Sequence, residues 1–337
     1  DEPTAVLVPQ EVDDLFGALE GLRAKGMAVI FISHKLDEVL RVADDVTVVR
    51  AGETVAEVKA KDVTARQLAE LMVGSELPQP TTHGDTRRSE VTLALKDVSI
   101  PTSTGSRDLI SHISFNLHAG EVVGIAGVEG NGQAELVEAI MGLRKYTGSI
   151  DFQGSSIDDM SVAHRHDLGI GLIPEDRQRQ ALMMDSPLWE NRILGHQRGK
   201  PVMRGFILDK KATIEDTKRI MEEFDVRAPG PMTAAAALSG GNQQKFIVGR
   251  EMSKAPALLV ASHPTRGVDV GAQGAIWEVL REARTQGMAI VLISADLEEL
   301  IGMSDRLLVM LRGVITAELD PQKTTPEQLG SAMTGAA

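Results

Sequence analysis

Cysteine is absent from the 337 residues, which rules out disulfides and thiolate metal sites. An excess of basic charge is also missing. The formal net charge is −13, and electrostatic binding to nucleic acid needs basic surface. The longest apolar runs, such as AIVLIS (289–294) and ALLVA (257–261), fall far short of the roughly 20 residues of a membrane span. No signal-peptide pattern is present, so the composition is cytosolic in character and any membrane association is expected to run through a partner. Nor does a starting Met or a lead-in strand precede the first acidic pair, Asp1 and Glu2. What remains is ordinary for a globular protein: 42% apolar and 25% charged residues, with a length that favours about two domains and allows a sizeable core.

The chain repeats itself. GMAVIFISHKLDEVLRVADDVTVVRAGETVAEV (26–58) aligns without a gap on GMAIVLISADLEELIGMSDRLLVMLRGVITAEL (287–319), with Gly26 on Gly287, Ser33 on Ser294, Asp44 on Asp305 and Gly52 on Gly313. Extended leftwards, the same offset sets Asp1-Glu2-Pro3-Thr4 on Ser262-His263-Pro264-Thr265. Extended rightwards, it sets Met72 on Met333 and Gly74 on Gly335. This is the back part of a domain seen twice. Residues 91–261 precede the second copy and have no counterpart before residue 1. The sequence therefore reads as a fragment whose first domain lacks a front portion of similar length. The expected organisation is a domain remnant at 1–73, a linker rich in Pro, Ser, Thr and charge at 74–90, and a complete second domain at 91–337. Short strands are expected in VTLALKDVSI, ISFNLHAGEVVGIAGV and GSIDFQG, helical patterns from about 161 to 255, and β/α alternation over 256–319. That alternation predicts a parallel sheet with helices on its faces.

Two motifs carry chemistry. GVEGNGQAE (127–135) follows an apolar strand and opens a helical pattern, with the spacing of a phosphate-binding loop, G-x-x-x-x-G-K-[ST]. Gly127, Gly130 and Gly132 fit, with Asn131 between the last two. Gln133 stands at the Lys position and Ala134 at the Mg²⁺-binding hydroxyl position. Taken alone, the stretch also reads as a tight strand-to-helix turn. LSGGNQQK (238–245) is more specific. It resembles the signature motif of ABC-transporter ATPases, and it precedes the LLVASHPTRGVD strand and turn at the spacing that family shows. The resemblance implies an α/β P-loop NTPase of ABC type: a RecA-like parallel sheet core, an antiparallel β subdomain and a helical signature subdomain. In the family, the signature faces the γ-phosphate held by another domain. Ser239, Gly240, Gly241 and Gln243 match that ATP-binding element.

The resemblance assigns further roles. A family strand ends in Asp-Glu-Pro-Thr, where the Asp binds Mg²⁺ through water and the Glu polarises the attacking water. Asp1 and Glu2 match those two positions. His34 in IFISHKL matches the switch histidine that follows the next strand, and Asp269 matches the D-loop acid, whose first-copy counterpart is Val8. The second copy departs at each catalytic position. Ser262 and His263 replace the two acids, Ala295 replaces the switch histidine, and Glu175 in IPEDRQ stands near the Q-loop glutamine position. His263 as a stand-in base is disfavoured, because no acid follows it and the loop Lys is gone. ABC domains pair head to tail. One competent site, built from Asp1, Glu2 and the intact signature, and one degenerate site are therefore expected, with ATP and Mg²⁺ as ligands. The chain alone is expected not to hydrolyse ATP.

EDRQRQALMM, LSGGNQQK and PTRGVDVGA together resemble the ATPase subunits of bacterial simple-sugar and nucleoside importers, with GVEGNGQAEL and ISADLEEL closer to the nucleoside branch. This implies a peripheral protein on the cytoplasmic face of the plasma membrane. It also implies a transmembrane permease as partner, an extracellular substrate-binding protein reached indirectly, and no nucleic acid. Residues 173–194 match the permease-touching region, where Met183, Met184, Leu188 and Trp189 either dock a coupling helix or pack into the core. The alternative function is a non-transport or regulatory ABC pseudo-ATPase. A P-loop kinase is disfavoured because no loop Lys survives and the signature would go unexplained.

Overall fold

The computed structural model describes residues 3, 9–33, 36–50, 52–74, 84, 86–102 and 108–335. Asp1, Glu2, Val8 and His34 lie outside the described residues. The chain divides into two compact units, one of residues 1–78 with 269–271 and one of residues 79–268 with 272–337.

The first unit contains α1 (Pro9–Ala24), α2 (Leu36–Val42), the antiparallel pair β1 (Asp45–Arg50) and β2 (Glu53–Lys59), and α3 (Ala65–Val73). Thr64 and Gln67 close a capping box at the start of α3, satisfying two backbone N–H groups that the helix leaves open. Phe16, Val39, Val48 and Leu68 form a small buried core. MAVIFIS (27–33) is expected to be a strand, and it has no regular secondary structure. Ile30 is 89% and Ile32 55% exposed. A strand needs at least one paired neighbour for its backbone and a packed layer to cover its side chains, and none pairs with this segment among the described residues.

The second unit is built around two large sheets. One is antiparallel, in the order β4 (Ile110–His118), β3 (Val91–Ile100), β6 (Thr147–Phe152), β7 (Ser155–Ser156). The other runs β14 (Val314–Leu319), β13 (Arg306–Leu311), β5 (Val122–Ala126), β12 (Ala289–Ile293), β11 (Leu258–Ser262), β8 (Ile170–Ile173). It is parallel except for the β13–β14 hairpin. ISFNLHAGEVVGIAGV, read as one strand region, divides at Ala119–Glu121 into β4 and β5, which belong to different sheets. The parallel strands are apolar throughout because helices and the second sheet cover both faces. Val122, Leu259, Ile290 and Leu307 serve one core cluster, whereas Val123, Val260, Val291 and Leu308 serve the other.

The helical region contains α5 (Val162–Asp167), the short α6 (Leu188–Asn191), α7 (Lys210–Glu223) and α8 (Gly240–Met252), interrupted by β8 and by a small hairpin, β9 (Met203–Arg204) with β10 (Ile207–Leu208). α7 and α8 approach closely at Gly249, where a Cβ would come within 2.6 Å of the Phe224 ring. α4 (Gln133–Met141), α9 (Val270–Gln286), α10 (Leu297–Met303) and α11 (Pro326–Thr334) complete the unit.

The repeat is structural as well as sequential. β13–β14 carries a register shift between Val309 and Met310, as β1–β2 does between Val48 and Val49. Thr325 and Gln328 repeat the capping box of Thr64 and Gln67. Arg284 pairs with Asp305 at 2.5 Å, where Arg23 pairs with Asp44 at 3.1 Å. The Arg284–Asp305 pair is largely buried and Asp305 also accepts from Val122 N–H at 2.8 Å, whereas Arg23–Asp44 is exposed. An exposed pair of this kind contributes about 0–1 kcal/mol.

Candidate functional site

A cleft of about 440 Å³ opens at the carboxyl ends of β5, β11 and β12, the ends where open parallel sheets place their ligands. Gly127, Gly130, Gln133, Glu175, His263 and Ala295 are among its lining residues. Gly130 and Gly132 have φ of 87° and 109°, a region that side-chain-bearing residues avoid. At Gly132 a Cβ would also fall 2.7 Å from Ile110 Cγ2, so this position needs glycine for both reasons. Asn131 fastens the loop. Its Nδ2 donates to Val128 O at 3.0 Å, and its Oδ1 accepts from Arg312 N–H at 2.7 Å. α4 then starts at Gln133 with no side-chain cap, leaving its first N–H groups as an anion-binding end.

Gln133 alters that end. Its side chain is buried and folds back, donating from Nε2 to Val128 O at 3.1 Å. A Cβ on Gly127 would lie 2.5 Å from the same Nε2. The carboxamide thus lies over the loop where a Lys would extend towards phosphate. The remaining charges on the wall are Glu129, Glu175 and Asp296 against Arg266, and Arg266 is committed to Glu175 at 2.6 Å. Electrostatically the cleft is poor for a polyanion. Gln133→Lys is expected to tighten nucleotide binding here by about tenfold, or about 1.4 kcal/mol, in a titration with a fluorescent ATP analogue. An unchanged or weaker affinity would contradict this account of the loop.

His263 sits in left-handed backbone, φ 49°, a strained setting for a residue other than glycine. Its N–H donates to Ile293 O at 2.7 Å, and its Nδ1 accepts from Ala295 N–H at 3.3 Å. Burial lowers its pKa, with the Glu175 carboxylate opposing, so the ring is neutral at physiological pH. With Nδ1 accepting, the proton is on Nε2, which makes the ring a donor rather than a base. Ser262 is buried and Ala295 exposed. Neither the Ser262 nor the Ala134 position offers a carboxylate or hydroxyl set suited to octahedral Mg²⁺. The equivalent acid of the first copy, Asp1, lies outside the described residues.

The signature opens α8. Ser239 is exposed and caps the helix, accepting from Asn242 N–H at 3.4 Å, and Asn242 Nδ2 donates to Ser239 Oγ at 3.0 Å. Gly240 is partly exposed and Gly241 buried. Gln243, expected to bind nucleotide, is buried instead. Its Nε2 donates to Ala235 O and Leu238 O at 3.1 and 3.3 Å, and its Oε1 accepts from Arg177 Nε at 3.3 Å. Its amide is engaged in holding the loop ahead of the helix. Asp269 is exposed just before α9.

Leu188 and Trp189 resolve to the core, with Lys210 Nζ lying 4.6 Å from the centre of the Trp189 ring. Met183 is exposed and Met184 partly buried.

Three further residues matter, and the motifs did not reveal them. Arg177 lies in a π-helical turn, Arg177–Ala181, capped by Asp176. It donates to Gln243 Oε1, to Arg266 O at 2.7 Å and to Gly267 O at 3.2 Å. One guanidinium thereby joins the segment after β8, the start of α8 and the turn after β11. Arg266 spans to Glu175, as above. Glu299 accepts from Thr265 Oγ1 at 2.8 Å and Trp277 Nε1 at 2.7 Å, fixing the turn beneath His263, and burial raises its pKa. Arg177→Ala is expected to cost about 1–3 kcal/mol in denaturant unfolding, from hydrogen bonds lost at a charged group. It is also expected to speed amide exchange over 239–243. Wild-type exchange at those amides would show that the signature does not depend on Arg177.

A family model described as ABC transporter matches residues 110–266. The chain is 41% identical over 99% of its length to a nucleoside import ATP-binding protein, NupA, of Lactococcus lactis subsp. cremoris. It is 40% identical over 99% to a guanosine import ATP-binding protein, NupO, of Bacillus subtilis, and 37% identical over 99% to a ribose import ATP-binding protein, RbsA, of Lacticaseibacillus paracasei. It spans 66% of the length of each of these relatives. A dimeric post-hydrolysis ATP-binding cassette bound to ADP and Pi shares its fold, with a TM-score of 0.59 and 20% identity over 69% of this chain and all of that one. With the phosphate-loop geometry, the signature helix and the two-sheet architecture, these similarities show that the chain belongs to the ABC-transporter ATP-binding family.

Proposed function

We propose that this chain is part of the ATP-hydrolysing subunit that energises import of nucleosides or simple sugars through a membrane permease. The observation that carries the reading is the asymmetry between an intact signature, Ser239-Gly240-Gly241 at the open end of α8, and a phosphate loop closed over by Gln133. In this reading 1–73 is the remnant of a first cassette, 74–90 a linker and 91–337 a degenerate second cassette. Asp1 holds Mg²⁺ through water, Glu2 polarises the attacking water and His34 senses the γ-phosphate. Ser239 and the N–H groups of Gly240 and Gly241 complete that site, with Asp269 in the D-loop of the second cassette. The opposite site, with Gln133, Ser262, His263 and Ala295, holds nucleotide weakly and turns it over poorly.

The relatives' import names support nucleoside or sugar as cargo, and they imply a permease. No helix among the described residues is long and apolar enough to cross a membrane, which fits a peripheral place on the cytoplasmic face. The test is reconstitution of the full-length protein with its permease in vesicles. Import driven by ATP, dependent on an external binding protein, is the expected result. Nucleotide binding without any permease association would favour the regulatory pseudo-ATPase instead.

A further inference from the structure

Away from the cleft, three segments bring together a set of metal-ligand side chains. His166 lies in the last turn of α5, His196 in the turns after α6, and Glu251 in the last turn of α8. One ligand atom from each lies within 4.8 Å of the others, and the imidazole rings meet edge to face with centroids 4.8 Å apart. His196 is 1% exposed, yet among the described residues neither of its ring nitrogens has a hydrogen-bond partner, and His166 Nδ1 has none either. Buried polar atoms are rarely left so, because the cost matches that of a lost hydrogen bond. The one contact within the set, His166 Nε2 to Glu251 Oε2, is 3.4 Å long.

The carboxylate is already oriented. Glu251 Oε1 accepts from Arg250 Nε at 3.0 Å, and Arg250 NH1 is fixed by Ala181 O at 2.8 Å and Asn191 O at 3.2 Å. Oε2 is thereby turned towards the imidazoles. Such outer hydrogen bonds are what hold ligating carboxylates in register. Gly195 leaves space beside the set, since a Cβ there would stand 3.2 Å from His166 Nε2.

We propose that His166, His196 and Glu251 form a binding site for one first-row divalent transition ion, with zinc as the best match. Two imidazole nitrogens and one carboxylate oxygen, with water as fourth ligand, make a donor set that zinc accepts in tetrahedral geometry. Ligand atoms around such an ion stand about 3.3 Å apart for bonds of about 2.0–2.1 Å, so small side-chain rotations draw the set in. The surrounding cations are answered by acids. Arg250 faces Glu251, Arg192 faces Asp216 at 2.6 Å, and Lys254 is attracted by Asp167. An ion here fastens α5 and the post-α6 turns to the far end of the helix that begins at Ser239.

The test uses the tag-free 337-residue chain, stripped with chelator and titrated with Co²⁺. The expected result is one equivalent giving the visible absorption of a tetrahedral nitrogen–oxygen site, displaced by Zn²⁺. His196→Gln and Glu251→Gln are each expected to weaken binding by at least about 100-fold. His112→Gln, at an exposed histidine paired with Asp97, is expected to leave it unchanged. Should a variant not fold, ring-nitrogen NMR shifts of His166 and His196 on Zn²⁺ addition to the wild-type chain decide the matter. No stoichiometric Co²⁺ spectrum, binding that survives His196→Gln, or ring shifts that ignore Zn²⁺ would each overturn the site and leave buried water as its occupant.

Discussion

Glu2→Gln in the full-length, permease-reconstituted protein is expected to lower ATP turnover by about 10³-fold or more, while His263→Ala leaves it nearly intact. The first figure follows from removing the group proposed to polarise water in a phosphoryl-transfer site, where general-base and charge terms each contribute orders of magnitude. The second follows from geometry. His263 Nδ1 is occupied by the Ala295 N–H, so the nitrogen left over carries a proton. The ring is neutral because burial depresses its pKa. Moreover, Glu175, the acid that acts most strongly on the ring, is paired to Arg266 at 2.6 Å. Phosphate release measured on both variants distinguishes the cases. Substantial hydrolysis with Glu2→Gln, or collapse of hydrolysis with His263→Ala, would reverse the assignment of the competent site.

The sequence carried the repeated half of the fold well, because that half is fixed by local chemistry. Capping boxes at Thr64 and Thr325, glycines at Gly74 and Gly335 in left-handed backbone, and short apolar strand runs all leave marks within a few residues. The glycine-rich turn between β5 and α4 was readable for the same reason. The role of Arg177 was not, since it arises only when segments around 177, 243 and 266 meet. The placement of Gln243 was not legible for a related reason. A motif tells which residues recur at a site but not which of them face inward, and Gln243 sits beneath its loop. MAVIFIS has the composition of a central strand. Its repeat partner β12 is fully buried between β5 and β11, whereas Ile30 stands exposed. Strand propensity expresses fit to neighbours, so identical patterns diverge when the neighbours do.

If the proposed pairing of Glu2 with the signature holds, Gly240→Asp should lower turnover by about 10²–10³-fold, the usual loss when a donor aimed at developing charge is removed. Gly240 is the first residue of α8. A Cβ there meets Arg177 NH2 at 2.6 Å and Gly267 O at 2.9 Å, so a carboxylate is drawn onto Arg177 and stands over the N–H groups meant for phosphate. Some stability should be lost too, about 1–3 kcal/mol, because Gly267 O is backbone and the Arg177 head that must shift holds Gln243, Arg266 and Gly267. A loss of turnover well beyond that of Arg177→Ala, which loosens the same turn without adding a charge, therefore separates a phosphate-facing role from a structural one. If Glu2 and Gly240 serve one site, the double variant should be scarcely slower than the worse single variant, since groups acting as a unit are not additive. Independent, multiplicative losses would instead place the two residues in different sites and break the proposed pairing of the first-copy acids with the second-copy signature.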